Sequence, residues 1–158
     1  MFIWAIVAGS IAAFAAGFLA AVISNSIFLV VLFPALMGMA TGGVFALAYA
    51  GRPADAFSAR NVIIAASLGI MAYASMFVFS YMSLSTEVRA SRTAPAELRD
   101  LTLFRYLQFR ADATTLGRVG TRPSGSGLGG AAYALWLGEA AIAGYAASRT
   151  YRRMTTSE

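Results

Sequence analysis

From Met1 to Gly51 the chain carries no charged side chain. One straight helix of that length would reach ~75 Å at 1.5 Å per residue, against a bilayer core of ~30 Å. The run therefore has to fold back on itself. Ser24-Asn25-Ser26 is the polar cluster inside it, so a tight turn is expected there. That places a first span at about 3–23 and a second at about 27–49. A cleaved signal peptide is the rival reading of the first span. It needs a positively charged start, and Met1-Phe2-Ile3-Trp4 has none.

Composition agrees with a lipid-embedded chain. Apolar residues make up 59% and charged residues 12%, against roughly 45–50% and 25% in soluble domains. The length of 158 residues suits a single domain covering 1–158. The net charge of +5 comes from twelve arginines and no lysine, all outside the apolar runs. Arginines so placed point to membrane lipid as partner. A nucleic-acid footprint would be a basic face on a soluble domain, so no nucleic acid is expected. With no Cys, His or Lys, disulfides, thiolate or imidazole metal sites, histidine bases and Schiff-base chemistry are excluded. No cofactor, metal or catalytic residue is expected, and the chain reads as a non-enzyme. Membrane-embedded catalysis by Asp, Glu and Ser alone is the remaining enzymatic class.

Small residues recur every four positions in both early spans: Gly9, Ala13, Gly17 and Ala21, then Gly38, Gly42, Ala46 and Ala50. That spacing lines each set along one helix face, where small side chains let backbones approach. Gly9, Gly17, Gly38 and Gly42 are therefore the candidate packing residues, and the two faces are expected to meet as a hairpin. Pro34 is expected to kink span two. After a polar connector from Gly51 to Asn61, a third span is expected at about 62–84 and a fourth at about 128–147.

The segment 85–126 is the long polar loop, with seven arginines and four acids. Thr93-Ala94-Pro95 suits a helix start, so a short helix at about 94–111 is expected, lying at headgroup level or folded against the bundle. Arg110, Arg118 and Arg122 are its candidate lipid-headgroup contacts. Gly125-Ser126-Gly127-Leu128-Gly129-Gly130 contains G-x-G-x-x-G, but no strand precedes it and no acid follows at the distance a dinucleotide site needs. It reads as a flexible entry to span four.

Glu139 is the sharpest single signal, because it is the one charge inside span four. A carboxyl at mid-membrane is costly unless it turns inward and finds a partner. It is expected inside the bundle and neutral, on a face with Ala131, Leu135, Ala143 and Ala147. Tyr73, Ser67, Ser75, Thr41 and Ser10 are the neutral hydrogen-bonders available to it. Two readings stay open: glue between helices, or a proton or cation relay. Orientation is close to balanced. The loop 85–126 holds more arginines than the other side, but Arg52, Arg60, Arg149, Arg152 and Arg153 are denser in short segments. Short loops carry most of the positive-inside signal, which favours cytoplasmic termini.

The run Tyr106-Leu107-Gln108-Phe109-Arg110-Ala111-Asp112-Ala113-Thr114-Thr115-Leu116-Gly117-Arg118, a Gly-rich entry, and Trp136-Leu137-Gly138-Glu139 resemble a group of uncharacterised bacterial four-span inner-membrane proteins. Their pattern is an aromatic-x-x-Arg-Ala stretch, a Gly-Arg, and a last span with Trp-x-x-Glu. The likeness covers Tyr106 to Ala147. It implies four spans and a pairing of the arginine loop with Glu139, and it implies no known activity. Some members end in a cysteine pair; this chain has no cysteine, so a metal-binding tail of that kind is excluded.

The expectation is thus an all-α, polytopic bundle of four transmembrane helices in the bacterial cytoplasmic membrane. Its leading functional class is an accessory or assembly component of a membrane complex, with protein partners in the membrane. A small ion- or proton-conducting unit built on Glu139 is the alternative.

Overall fold

The computed structural model describes residues 2–23, 32–49, 58–91, 101–113 and 128–156. They form five helices and, among the described residues, no strand: α1 (Phe2–Ile23), α2 (Leu32–Tyr49), α3 (Ala59–Ala90), α4 (Leu103–Ala113) and α5 (Ala131–Thr156). Three of these, α1, α2 and α3, are long and apolar enough to cross a membrane. The fourth expected span lies within α5, which falls short of that measure of apolarity. Glu139, the tyrosines and the arginines of its last turns are the reason. The expected turn at Ser24–Ser26 lies outside the described residues, as do residues 27–31 of span two.

Two helices run further than their apolar stretches. α3 covers 32 residues where about 62–84 was expected, or ~48 Å at the helical rise. It begins earlier because the Ser58 side chain accepts from the Asn61 N–H at 3.3 Å, an N-cap that satisfies one orphan donor. It ends later because Ser85 and Thr86 bond back to the Met82 carbonyl at 3.0 and 2.8 Å and stay helical. α5 likewise continues beyond 147 to Thr156. Apolarity marks where lipid ends, and a helix needs no lipid to continue. The loop helix also differs from the expected 94–111. It spans Leu103–Ala113 and is started by Thr102, whose hydroxyl accepts from the Arg105 N–H at 3.3 Å. Residues 94–100 lie outside the described residues. Pro34, expected as a kink, sits in the first turn of α2, where its missing N–H interrupts no helical bond.

Helix directions follow from which residues meet. The edge-on rings of Phe2 and Tyr49 join the start of α1 to the end of α2. Phe45 and Tyr151 put the ends of α2 and α5 together, with ring centroids 5.1 Å apart. Phe18 packs on Phe79 at 5.6 Å, so α1 and α3 run the same way. α1 and α3 therefore run antiparallel to α2 and α5. The loop helix α4 closes the end opposite the chain termini, where Tyr81 Oη donates to the Leu101 carbonyl at 2.9 Å.

The small-residue faces do pack, but not on each other. Gly17 of α1 abuts Ser75 and the Ala72 carbonyl of α3, and Gly9 abuts Leu68 of α3 and Phe45 of α2. Gly38 and Gly42 of α2 instead lie against the carbonyls of Ala143 and Ala147 of α5. The expected meeting of the two small faces is thus corrected: Gly17, Gly38 and Gly42 serve later helices, and Gly9 meets Phe45 of α2 as well as Leu68 of α3. Four-residue spacing identifies a face that admits another backbone, without saying which backbone arrives.

These contacts predict a graded response. At Gly42 an added Cβ would meet the Ala147 carbonyl, whereas at Gly43 its nearest neighbour is Met154 Sδ at 3.6 Å, an ordinary contact. Gly42→Ala should lower stability by ~1–3 kcal/mol through overpacking, and Gly43→Ala should be near neutral. Thermal unfolding in detergent reads the difference; equal midpoints would place the α2 face away from α5.

Candidate functional site

Glu139 occupies the third turn of α5 and is only 4% exposed. The buried face of that helix is Ala132, Trp136, Glu139, Ala143, Ala147 and Tyr151. Ala131 is exposed and Leu135 half-buried, so the expected face is rotated slightly at its start. Across from it stands Tyr73 of α3, itself 4% exposed, whose hydroxyl donates to Glu139 Oε2. Of the five neutral partners proposed from the sequence, Tyr73 is the one joined to the carboxyl. Thr41 Oγ1 donates to the Met37 carbonyl at 2.8 Å, and Ser75 Oγ to the Ala72 and Ala13 carbonyls at 2.8 and 3.4 Å. Ser67 is exposed and Ser10 half-buried.

Rings close this pair on the α4 side. Tyr73 packs edge-on to Phe77 at 5.3 Å, and Phe77 lies 4.9 Å from the Trp136 indole. Above them Arg110 of α4 reaches in. Its guanidinium sits 5.1 Å from the Phe77 ring centroid, within cation–π range, and its Nη1 donates to Tyr106 Oη at 2.6 Å. The Arg110 side chain thus connects the loop helix to the Phe77 ring beside Tyr73, whereas Arg118 and Arg122 lie outside the described residues.

A second polar pair lies at the terminal end. Tyr151 and Asn61, both fully buried, share a side-chain hydrogen bond. Sequence reasoning missed it because Asn61 fell in the connector and Tyr151 beyond span four. A signal was present: Glu139, Ala143, Ala147 and Tyr151 stand at four-residue spacing, and so do Asn61, Ala65, Gly69 and Tyr73. Between the two pairs, Gly69 meets the Ala143 carbonyl and Ala147 Cβ, an added Cβ having 2.5 and 2.8 Å to them.

A carboxyl accepting one phenolic bond between two helices can hold them together, and it can exchange a proton only if water or another acceptor reaches it. Among the described residues no group of three His, Cys, Asp or Glu side chains could hold a metal ion. Tyr73→Phe should leave a buried acceptor unsatisfied and cost about 1–3 kcal/mol. A double-mutant cycle of Tyr73→Phe with Glu139→Gln should return a coupling of roughly 0.6–2 kcal/mol, the range of interhelical hydrogen bonds in membranes. A coupling near zero would mean that the two side chains ignore each other.

Comparison with protein-family models, with curated proteins and with solved structures gave no match to this chain. Its functional reading rests on the geometry.

Proposed function

We propose that this chain is a four-span membrane protein of the bacterial cytoplasmic membrane, with α5 as its fourth span, and that it serves as a non-enzymatic accessory or assembly component of a membrane complex. The membrane reading is supported by where large and small residues lie. Trp4 is 74% exposed, and Ile3 and Leu137 73%. The buried positions of α1 are instead alanine and glycine alone, and elsewhere the core mixes small residues and rings such as Phe45, Tyr73 and Trp136 with the polar Thr41, Asn61, Ser75 and Glu139. Water would select the reverse distribution; lipid, as apolar as leucine, leaves packing and hydrogen bonds to drive helix association.

For α5, hydropathy understates the case because Glu139 is turned inward. Its outward residues Tyr133, Ala134, Leu137, Gly138, Ala141 and Tyr145 carry no charge. The first arginine after them, Arg149, folds back to Tyr145 Oη at 2.6 Å. From Leu128 to Ser148 the inward-turned Glu139 is the one charged residue, and that run is ~30 Å long as a helix, the thickness of the hydrocarbon core. α5 also lies alongside α2 and α3, which are themselves apolar enough to cross.

The accessory reading is carried by one observation: the Glu139 carboxyl is sealed. It is bonded to Tyr73, covered by rings, and does not line the cavity described below. A conducting unit would bring that carboxyl to a wet path. Arg110, over the Phe77 ring that packs on Tyr73, keeps conduction as the second reading, because a cation near a buried acid can tune proton exchange.

Two measurements test these claims. Alkaline phosphatase fused after Arg105 and after Arg153 should give opposite activities, since α5 crosses between them, with the Arg105 fusion active if the termini are cytoplasmic. Equal activities would remove the fourth span. Purified protein in proteoliposomes should pass no protons above the empty-vesicle leak, and the native chain should co-purify in fixed ratio with another membrane protein. Proton flux abolished by Glu139→Gln at unchanged stability would establish the second reading.

A further inference from the structure

A cavity of about 400 Å³ lies at the α4 end, between the last turns of α1, the second half of α3, and α4. The volume falls within the usual range of small-molecule sites, roughly 300–1,000 Å³. Its walls are divided by chemistry. Phe18 and Val22 of α1 and Phe79 of α3 form an apolar side, while Glu87 of α3 and Tyr106 and Arg110 of α4 form a charged and hydrogen-bonding side. The Tyr106 hydroxyl fixes the Arg110 guanidinium in that wall.

The division follows depth. Phe18 and Phe79 are level, since their rings touch edge-on. Counting on from them, Ile23 at the end of α1 is level with Leu84, and Glu87 stands three residues further out, ~4.5 Å along the axis. Phe18 and Phe79 thus lie within the apolar length of α1 and Glu87 at its rim, while Arg110 reaches inward from α4 to 5.1 Å from the Phe77 ring. Anion and cation partners face the same space: a guanidinium that can fork onto phosphate oxygens and a carboxylate that can only accept.

We propose that this cavity binds a zwitterionic glycerophospholipid whose head joins a phosphate to a primary ammonium. The phosphate lies toward Arg110, the ammonium toward Glu87, and the upper part of an acyl chain against Phe18, Val22 and Phe79. An anionic lipid with an uncharged head alcohol would satisfy Arg110 and leave Glu87 facing negative charge. A quaternary ammonium would carry the right charge and no N–H for the carboxylate. This inference rests on the membrane reading above, because a bilayer is what brings a lipid's head and acyl chain to the two walls together.

Native mass spectrometry of the full chain, extracted in mild detergent, tests it. The probes are phosphatidylethanolamine, phosphatidylglycerol and phosphatidylcholine with identical acyl chains, and water-soluble phosphoethanolamine. Phosphatidylethanolamine should be retained about tenfold over the other two lipids, the factor that one charge-assisted hydrogen bond commands. Glu87→Gln should collapse that preference to near unity. Glu87 is exposed, so this variant should keep its melting point. Arg110→Gln should weaken retention of all three lipids. Equal retention by the parent, a preference for phosphatidylglycerol, or a preference that Glu87→Gln leaves intact would overturn the proposal. Soluble phosphoethanolamine competing as well as the lipid would also overturn it, assigning the site to a free headgroup. The membrane reading fails separately, by release of the chain from membranes in a carbonate wash.

Discussion

The approach of α5 to two glycine-bearing helices sets the rest of the molecule. The carbonyls of Ala143 and Ala147 occupy the space where side chains of Gly38 and Gly42 would begin, and Gly69 of α3 meets the same turn from the other side. α5 is pressed into the crease between α2 and α3. In lipid this closeness matters more than in water, because there is no hydrophobic gain in exchanging acyl chains for leucines. What remains is dispersion, which falls off within an ångström of optimal contact, and weak Cα–H···O bonds that need backbones in touch. Glu139 is one turn from Ala143 on the same face. It is therefore held among helices, within reach of Tyr73, by a contact in which it takes no part.

The two ends of the molecule are finished differently. At the terminal end, Phe45, Tyr49 and Tyr151 form a ring cluster, and Arg60 lies 4.7 Å over the Phe2 ring. At the other end α4 folds in, burying Tyr106 and Ala111 and leaving Phe104 and Phe109 exposed. Aromatic and arginine side chains at both ends suit the two water–lipid interfaces. At the α4 end the arginine lies over Phe77, beside the Tyr73–Glu139 pair, and lines a cavity.

Much of this was legible in the sequence, for identifiable reasons. The charge-free run gave α1 and α2 because apolar length is a constraint set by lipid thickness. Glu139 and Tyr73 were legible as a possible pair because a mid-helix acid has few neutral partners to choose from. Helix ends were less legible. Ser58 and Thr102 act as caps through side-chain geometry that hydropathy does not register, and residues such as Thr86 and Thr155 extend helices by bonding back to carbonyls. Helix pairing was least legible. Gly9 and Gly17 looked fit for α2, and α3 took Gly17, because a small face admits any backbone. Gly69 carried no mark in the sequence except its place between Asn61 and Tyr73.

That place explains why the buried polar pairs matter. Small-residue faces alone specify register poorly, since a shift of one helical turn sets glycine and alanine against alanine and glycine again. Here each face is bounded by polar residues. On α3 the order is Asn61, Ala65, Gly69, Tyr73, and on α5 running the other way it is Tyr151, Ala147, Ala143, Glu139. Asn61 and Tyr73 are twelve residues apart, as are Glu139 and Tyr151, so both hydrogen bonds form in a single antiparallel register. A slip of four residues toward one end would set Glu139 against Gly69, and toward the other against Phe77. Either slip would break both pairs at once and leave Tyr73 and Glu139 buried without their partners. Single buried polar residues fix register in coiled coils in the same way. A pair at each end of a small-residue seam does so from both sides, while the glycines between supply the contact that makes a wrong register impossible to relax.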